Sequence, residues 1–187
     1  VDAESFMRRN NELMAAYSAG ELAMEEYMTF SLEPMAGRTP EEVAHLVGPW
    51  VEDVIEPIIF SEACRAIAAH RAAGDRILVI SASGTHLVKP IAERLGIDEV
   101  LGIELEVKHG VYSGATLGVL TYREGKVTRL LEWLQNEGET LEGSSFYSDS
   151  RNDLALLLKV QYPRVVNPDP VLREHAEKAS WPIHSWK

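Results

Sequence analysis

The sequence predicts an α/β fold, a doubly wound and mostly parallel sheet joined to a helical cap, and three observations carry that expectation. The first 60 or so residues hold helical patterns only; from Ser61 helices alternate with short apolar runs; and two of those runs end in polar turns that open a helix. In such sheets ligands bind in the crevice beyond the carboxyl ends of the strands, so these turns are the places to look for chemistry. The expected division is a helical cap domain over 1–60 and an α/β core domain, with the candidate sites, over 61–187.

Composition limits what those sites can serve. With 187 residues, 45% hydrophobic and 25% charged, the chain can bury one full core and carry a smaller appendage. A formal net charge of −11 opposes binding to a phosphate backbone, which depends on Lys and Arg, so a small molecule is the expected partner and nucleic acid is not. Cys64 is the single cysteine, which excludes an intrachain disulfide; its alanine-rich helical setting with Ile67 and Ala68 predicts a buried thiol. No apolar run approaches the ~20 residues that span a bilayer, and the start lacks the basic and apolar regions of a signal peptide. A cytoplasmic protein without membrane contact is expected. The pattern carries no signal for the oligomeric state. The chain opens on Val1 inside a helical pattern, which leads to the expectation that a segment upstream is missing.

In the cap, Asp2 is placed to start a helix with Phe6, Leu13, Met14 and Tyr17 on one side and Gly20 at its end. A second helix is expected from about Glu21 to Leu32, broken by Pro34 and Gly37. Thr39-Pro40-Glu41-Glu42 is a capping box with proline at the first helical position, and Gly48-Pro49 is expected to stop that helix. The many acids of this segment, among them Glu21, Glu25, Glu26, Glu41 and Glu42, read as a solvated face.

In the core, Ser61 is expected to cap an alanine-rich helix that ends near Gly74. Arg76-Ile77-Leu78-Val79-Ile80 then has the continuous apolar character of a strand covered on both faces. Ser81-Ala82-Ser83-Gly84 follows at once and leads into a helix over Thr85 to Leu95. Free backbone N–H groups at such a turn form an anion site, whereas the plainer alternative is a polar turn capped by Ser83 or Thr85. Val100 to Lys108 and Val111 to Leu120 alternate about His109-Gly110 as a β-hairpin, with His109 structural. Gly125-Lys126 opens a helix with the stripe Val127, Leu130, Leu131 and Leu134. A lysine there meets the positive end of the helix dipole, so either a bound anion or simple solvation accounts for it.

Phe146-Tyr147-Ser148-Asp149 is a strand end, and Asp153 follows at the start of the apolar pattern Leu154, Leu156, Leu157, Leu158. Two acids there suit a hard cation such as Mg²⁺; alternatively Asp153 caps the helix and Asp149 sits in a solvated turn. Arg164-Val165-Val166 is a further strand. Asp169-Pro170 turns into a last helix with Leu172 and Ala176 inward, and Trp181-Pro182-Ile183 returns to the sheet edge.

Ile80-Ser81-Ala82-Ser83, then Gly125-Lys126, then Ser148-Asp149-Ser150-Arg151-Asn152-Asp153 resemble motifs two, three and four of the haloacid dehalogenase superfamily, in its phosphoserine-phosphatase-like branch. The ending around Asn167-Pro168-Asp169-Pro170 is similar to histidinol-phosphatase-like members. The resemblance implies a Rossmann-like core and hydrolysis of a small phosphomonoester through an aspartyl-phosphate. Ser81 and Lys126 would be catalytic; Ser81, Ala82, Lys126 and Asn152 would bind phosphate; Asp149 and Asp153 would hold Mg²⁺. The superfamily's first motif, D-x-D-x-T after a central strand, is absent: no D-x-D occurs in the 187 residues. The expectation is therefore a sheet with its central first strand missing and a nucleophile upstream of Val1. The alternative is a catalytically inactive phosphate- or metal-binding module.

Overall fold

The computed structural model describes residues 3–19, 21 and 23–187. The expected helix cap at Asp2 and helix stop at Gly20 lie outside the described residues. Helices α1 (Ala3–Ala19) and α2 (Met24–Leu32) come first, then a single turn at Glu33–Met35 and α3 (Pro40–Trp50). The capping box forms as expected: Glu42 N donates to Thr39 Oγ1 at 3.1 Å, and Thr39 N donates to the Glu42 carboxylate at 2.8 Å.

Gly48 and Pro49 do not stop α3, contrary to expectation. The chain continues through a wide turn at Val51–Ile55 and a tight one at Glu56–Ile58. Packing overrides local propensity here. Val43, Val47 and Val51 form one buried stripe against Leu87 and Ile91, which keeps the chain helical through Pro49.

Helix α4 (Ser61–Ala73) ends at Gly74 in the left-handed conformation. Two expectations fail on it. Ser61 is the first helical residue, with Phe60 at the cap position, and its hydroxyl donates to Glu62 at 3.2 Å instead of capping. Cys64 is exposed, and no residue of α4 is fully buried, because an alanine-rich helix has a broad, weakly defined apolar face.

Strand β1 (Leu78–Gly84) leads into α5 (Thr85–Arg94). It runs past Ile80 through the serine-rich segment, and neither Ser83 nor Thr85 caps α5. The Thr85 hydroxyl donates instead to the Ile103 carbonyl and Glu104. Strands β2 (Glu99–Lys108) and β3 (Val111–Leu117) form the hairpin, with His109 and Gly110 both at positive φ, as a two-residue turn of right-handed twist requires. β3 ends three residues before the expected Leu120, and Gly118 with φ +67° marks the break.

The remaining elements are α6 (Glu124–Glu137), β4 (Ser145–Ser148), α7 (Leu154–Leu157), β5 (Tyr162–Val166), α8 (Pro170–Lys178) and β6 (Ile183–His184). Leu130 and Leu134 of α6 are buried; Leu131 is exposed, so the stripe is narrower than expected. Asp169 caps α8 by accepting from Val171 N and Leu172 N, both at 2.9 Å, and turns Leu172 and Ala176 inward.

The strands form two three-stranded sheets, ordered β1-β2-β3 and β4-β5-β6. Among the described residues β1–β2, β4–β5 and β5–β6 are parallel, and only the β2–β3 hairpin is antiparallel. The architecture is thus α/β and mostly parallel. β1 and β4 do not pair with each other; each is the edge strand of its sheet. One apolar cluster joins the sheets, since Leu130 and Leu134 of α6 and Leu156 of α7 pack with Leu78 and Ile80 of β1 and Phe146 of β4. A second cluster seats α1 and α2 on the hairpin, through Leu13, Met24, Met28 and Leu32 against Ile103 and Leu105. Among the described residues no helix is long and apolar enough to cross a membrane.

His86, in the first turn of α5, buries both ring nitrogens without a hydrogen-bond partner, and burial pushes its pKa down. Below its unfolded value of about 6.5 the unfolded chain takes up a proton that the folded one resists, so stability is lost as pH falls from there toward the lower folded value. The melting temperature is expected to fall more steeply between pH 7 and 5.5 in the wild type than in His86→Leu, and equal slopes would contradict this.

Candidate functional site

A cavity of about 430 Å³ opens where β1 and β4 end. Its wall includes Ile80, Ser81, Ala82 and Ser83 of β1 and Phe146, Tyr147 and Ser148 of β4. Side chains alternate between the faces of a strand, so runs of consecutive residues on one wall mean that the strand edges face the cavity. The space between the two sheets and the site at the strand ends are therefore one continuous hollow.

Local structure aims each charged group into it. Gly125 lets the chain enter α6 at all, because a Cβ there would lie 1.9 Å from the Leu120 carbonyl oxygen. The next residue, Lys126, is 6% exposed, which removes the solvated-surface alternative. Its Nζ lies 2.5 Å from Asp153 Oδ1. Asp153, 8% exposed, accepts on its other oxygen from the Ser148 hydroxyl at 2.7 Å, and its side chain does not cap α7. Ser150 provides the local cap instead, accepting from Asn152 N at 3.2 Å.

Asp149 projects into the cavity mouth. It remains open to solvent on one side, yet enough protein surrounds it that partial loss of hydration pushes its pKa up; Asp153 and Asp169 add to the rise and Lys126 opposes it. Backbone contacts hold the loop around it. Asp169 N donates to the Asp149 carbonyl at 2.9 Å, and Asp169 accepts from Arg151 N at 2.6 Å.

Ser81 and Ala82 line the same cavity, so Ser81, Ala82, Lys126, Asp149 and Asp153, drawn from three elements, meet at one place. The Ser81 hydroxyl accepts from Ser83 N at 3.2 Å, and the buried Thr121 hydroxyl donates to the Ser81 carbonyl, which anchors the turn. Asn152 stands apart from the others. It is buried behind Asp153, lines a neighbouring depression, and its Oδ1 accepts from Tyr122 and from Arg123, each at 3.3 Å.

Three parts of the site were missed by sequence reasoning. Ser148, adjacent to Asp149, holds Asp153. Tyr147 lines the cavity while its hydroxyl bonds His70 Nε2 at 2.9 Å, and His70 Nδ1 meets Asp75 at 2.6 Å, so α4 is tied to β4 across the gap. The third is a roof of Met14, Tyr17, Met24 and Tyr27 from α1 and α2, of which the helical pattern assigns Met14 and Tyr17 simply to an apolar face.

The donors fit a small hard cation. Asp149 offers a partly desolvated carboxylate, Asp153 lies beside it, and Mg²⁺ needs only one or two carboxylates because it keeps waters and shares substrate oxygens. Among the described residues no cluster of three or more His, Cys, Asp or Glu side chains forms a metal cage, so the pair would act with water and ligand oxygens.

A family model described as haloacid dehalogenase-like hydrolase matches residues 2–158. A histidinol-phosphatase of Neisseria meningitidis serogroup C is 36% identical over 191 residues, covering 100% of this chain and 86% of that protein. The chain belongs to the haloacid dehalogenase-like hydrolase family. A solved structure of a Bordetella pertussis protein of unknown function superposes with a TM-score of 0.90 at 36% identity, covering 98% of this chain and 83% of that one. A phosphoserine phosphatase, solved as a phospho-aspartyl intermediate analogue, matches with a TM-score of 0.68 at 22% identity over 96% and 80% of the two chains, which is a likeness of fold.

Proposed function

We propose that the 187 residues form the phosphate- and metal-binding body of a cytoplasmic, Mg²⁺-dependent phosphatase acting on a small phosphomonoester, histidinol phosphate or a related metabolite. The observation that carries this reading is the meeting of Ser81, Lys126 and Asp149 at one cavity under a helical roof. In it, residues 1–60 act as the cap and 61–187 as the core. The similarity to a histidinol-phosphatase supports the substrate.

The division of labour follows from the geometry. Lys126, fixed by Asp153, presents a positive charge that the site does not have to reorganise when a phosphate arrives, which favours the charge redistributed over the transferring group in the transition state. The Ser81 hydroxyl and the Ala82 N–H orient the phosphate oxygens, with Asn152 buttressing the loop from behind. Asp149, with Asp153 beside it, would hold Mg²⁺, which when bound offsets charge on the transferring group. In this reading the nucleophilic aspartate would come from outside these residues, on an upstream segment or a neighbouring chain that enters the hollow between β1 and β4.

The test is hydrolysis of histidinol phosphate by the full-length polypeptide that contains these residues, with Mg²⁺ and after chelation. Turnover that requires Mg²⁺ and is lost in Asp149→Asn is expected. Binding of phosphate without turnover would instead establish an inactive binding module.

A further inference from the structure

The roof of the cavity carries a selectivity of its own. Met14 and Tyr17 of α1 and Met24 and Tyr27 of α2 are its only contributions from the cap among the described residues, and none is charged. The acids of the cap turn elsewhere: Glu21, Glu25 and Glu26 are exposed, and Glu26 pairs with Arg9. A substrate amine therefore finds no cap carboxylate in the cavity, and a substrate carboxylate finds no cap cation. What the roof offers is two aromatic faces and two polarisable thioethers.

The tyrosines are set in place before any ligand arrives. Tyr17 packs against Tyr122 with ring centroids 6.0 Å apart, and Tyr122 is held by its bond to Asn152. Arg151, two residues from Asp149, donates from its guanidinium to the Ser18 carbonyl at the end of α1 and so fixes the roof relative to the charged floor. No described residue hydrogen-bonds the hydroxyl of Tyr17 or Tyr27. Burial pushes the Tyr27 pKa up, which keeps its phenol protonated.

Building on the phosphatase reading above, we infer that Tyr17 and Tyr27 select phosphomonoesters whose alcohol carries a flat aromatic or heteroaromatic ring. The phosphate sits at Lys126 and Asp149, and the ring lies against the tyrosine faces, where offset or edge-on stacking and sulfur contacts from Met14 and Met24 hold it. A ring nitrogen or hydroxyl takes the phenol hydroxyls. The negative faces of the rings repel a carboxylate and accept a cationic ring, so discrimination runs on planarity first and charge second.

The experiment measures kcat and KM of the full-length polypeptide on four esters: histidinol phosphate, 3-phenylpropyl phosphate, phosphoethanolamine and phosphoserine. Both ring-bearing esters are expected to exceed both ring-less ones at least tenfold in kcat/KM, chiefly through KM. Tyr17→Ala and Tyr27→Ala should each collapse that ratio toward one, while Tyr17→Phe and Tyr27→Phe keep most of it. Phosphoethanolamine matching histidinol phosphate, or alanine variants that leave the ratio unchanged, would overturn the ring selectivity and leave the phosphatase reading standing. No turnover of any of the four would overturn both.

Discussion

Lys126→Ala is expected to destabilise the fold by about 3–5 kcal/mol, the usual result of removing one partner from a buried ion pair. Both side chains are almost wholly enclosed, and Asp153 would keep only the Ser148 hydroxyl as a donor at 2.7 Å. A carboxylate left in that state carries a buried charge without its partner, which is the costly arrangement. The double replacement Lys126→Met with Asp153→Leu should cost clearly less than the sum of the single ones, because neither charge then stays unpaired. Urea unfolding of the four proteins checks this. A loss under about 1 kcal/mol in Lys126→Ala would mean that water reaches the pair and that the site is more open than described.

A second large effect is expected at the gap between the sheets. β1 and β4 each have a free edge, and consecutive residues of both line the same hollow. A strand entering there would find backbone partners on both sides. Four apolar side chains carried in with it would contribute roughly 1.5–3 kcal/mol apiece, about 6–12 kcal/mol together. That is comparable to the ~5–15 kcal/mol stability of an ordinary domain. Hydrogen exchange of the 187-residue chain should therefore show rapid exchange at β1 and β4 amides directed into the hollow, and strong protection once a segment bearing an apolar strand and a D-x-D-x-T loop is joined or added as a peptide. Strong protection at both edges in the chain alone would contradict an open slot.

Much of this was legible in the residues. The alternation of helices and apolar runs after Ser61 gave the parallel strands, and His109-Gly110 gave the hairpin, because those signals are local and nothing distant competes with them. The Thr39 capping box is of the same kind. The expectations that failed were ones where tertiary packing decided. Pro49 stays within a helical run because the valine stripe around it is buried, and Cys64 is exposed because alanines on every side leave the apolar face of α4 undefined. At the site, Ser81 and Asp149 stood out as polar groups at strand ends, and Lys126 and Asp153 as charged groups at helix starts. Tyr17 and Tyr27 did not, since a tyrosine at helical spacing gives no sign of whether its ring meets a core or a cavity. The pairing of Lys126 with Asp153 was equally silent, because the partners are distant in the chain and only the fold brings them to 2.5 Å.

If the proposed function holds, a metal and a phosphate bound at these residues depend on each other. Calorimetric titration of inorganic phosphate into the protein, with and without Mg²⁺, tests it most directly. Tighter phosphate binding in the presence of Mg²⁺, loss of that enhancement in Asp149→Asn, and weakened phosphate binding with the metal retained in Lys126→Ala are expected. Phosphate affinity that is the same with and without Mg²⁺, and unchanged in both variants, would contradict it.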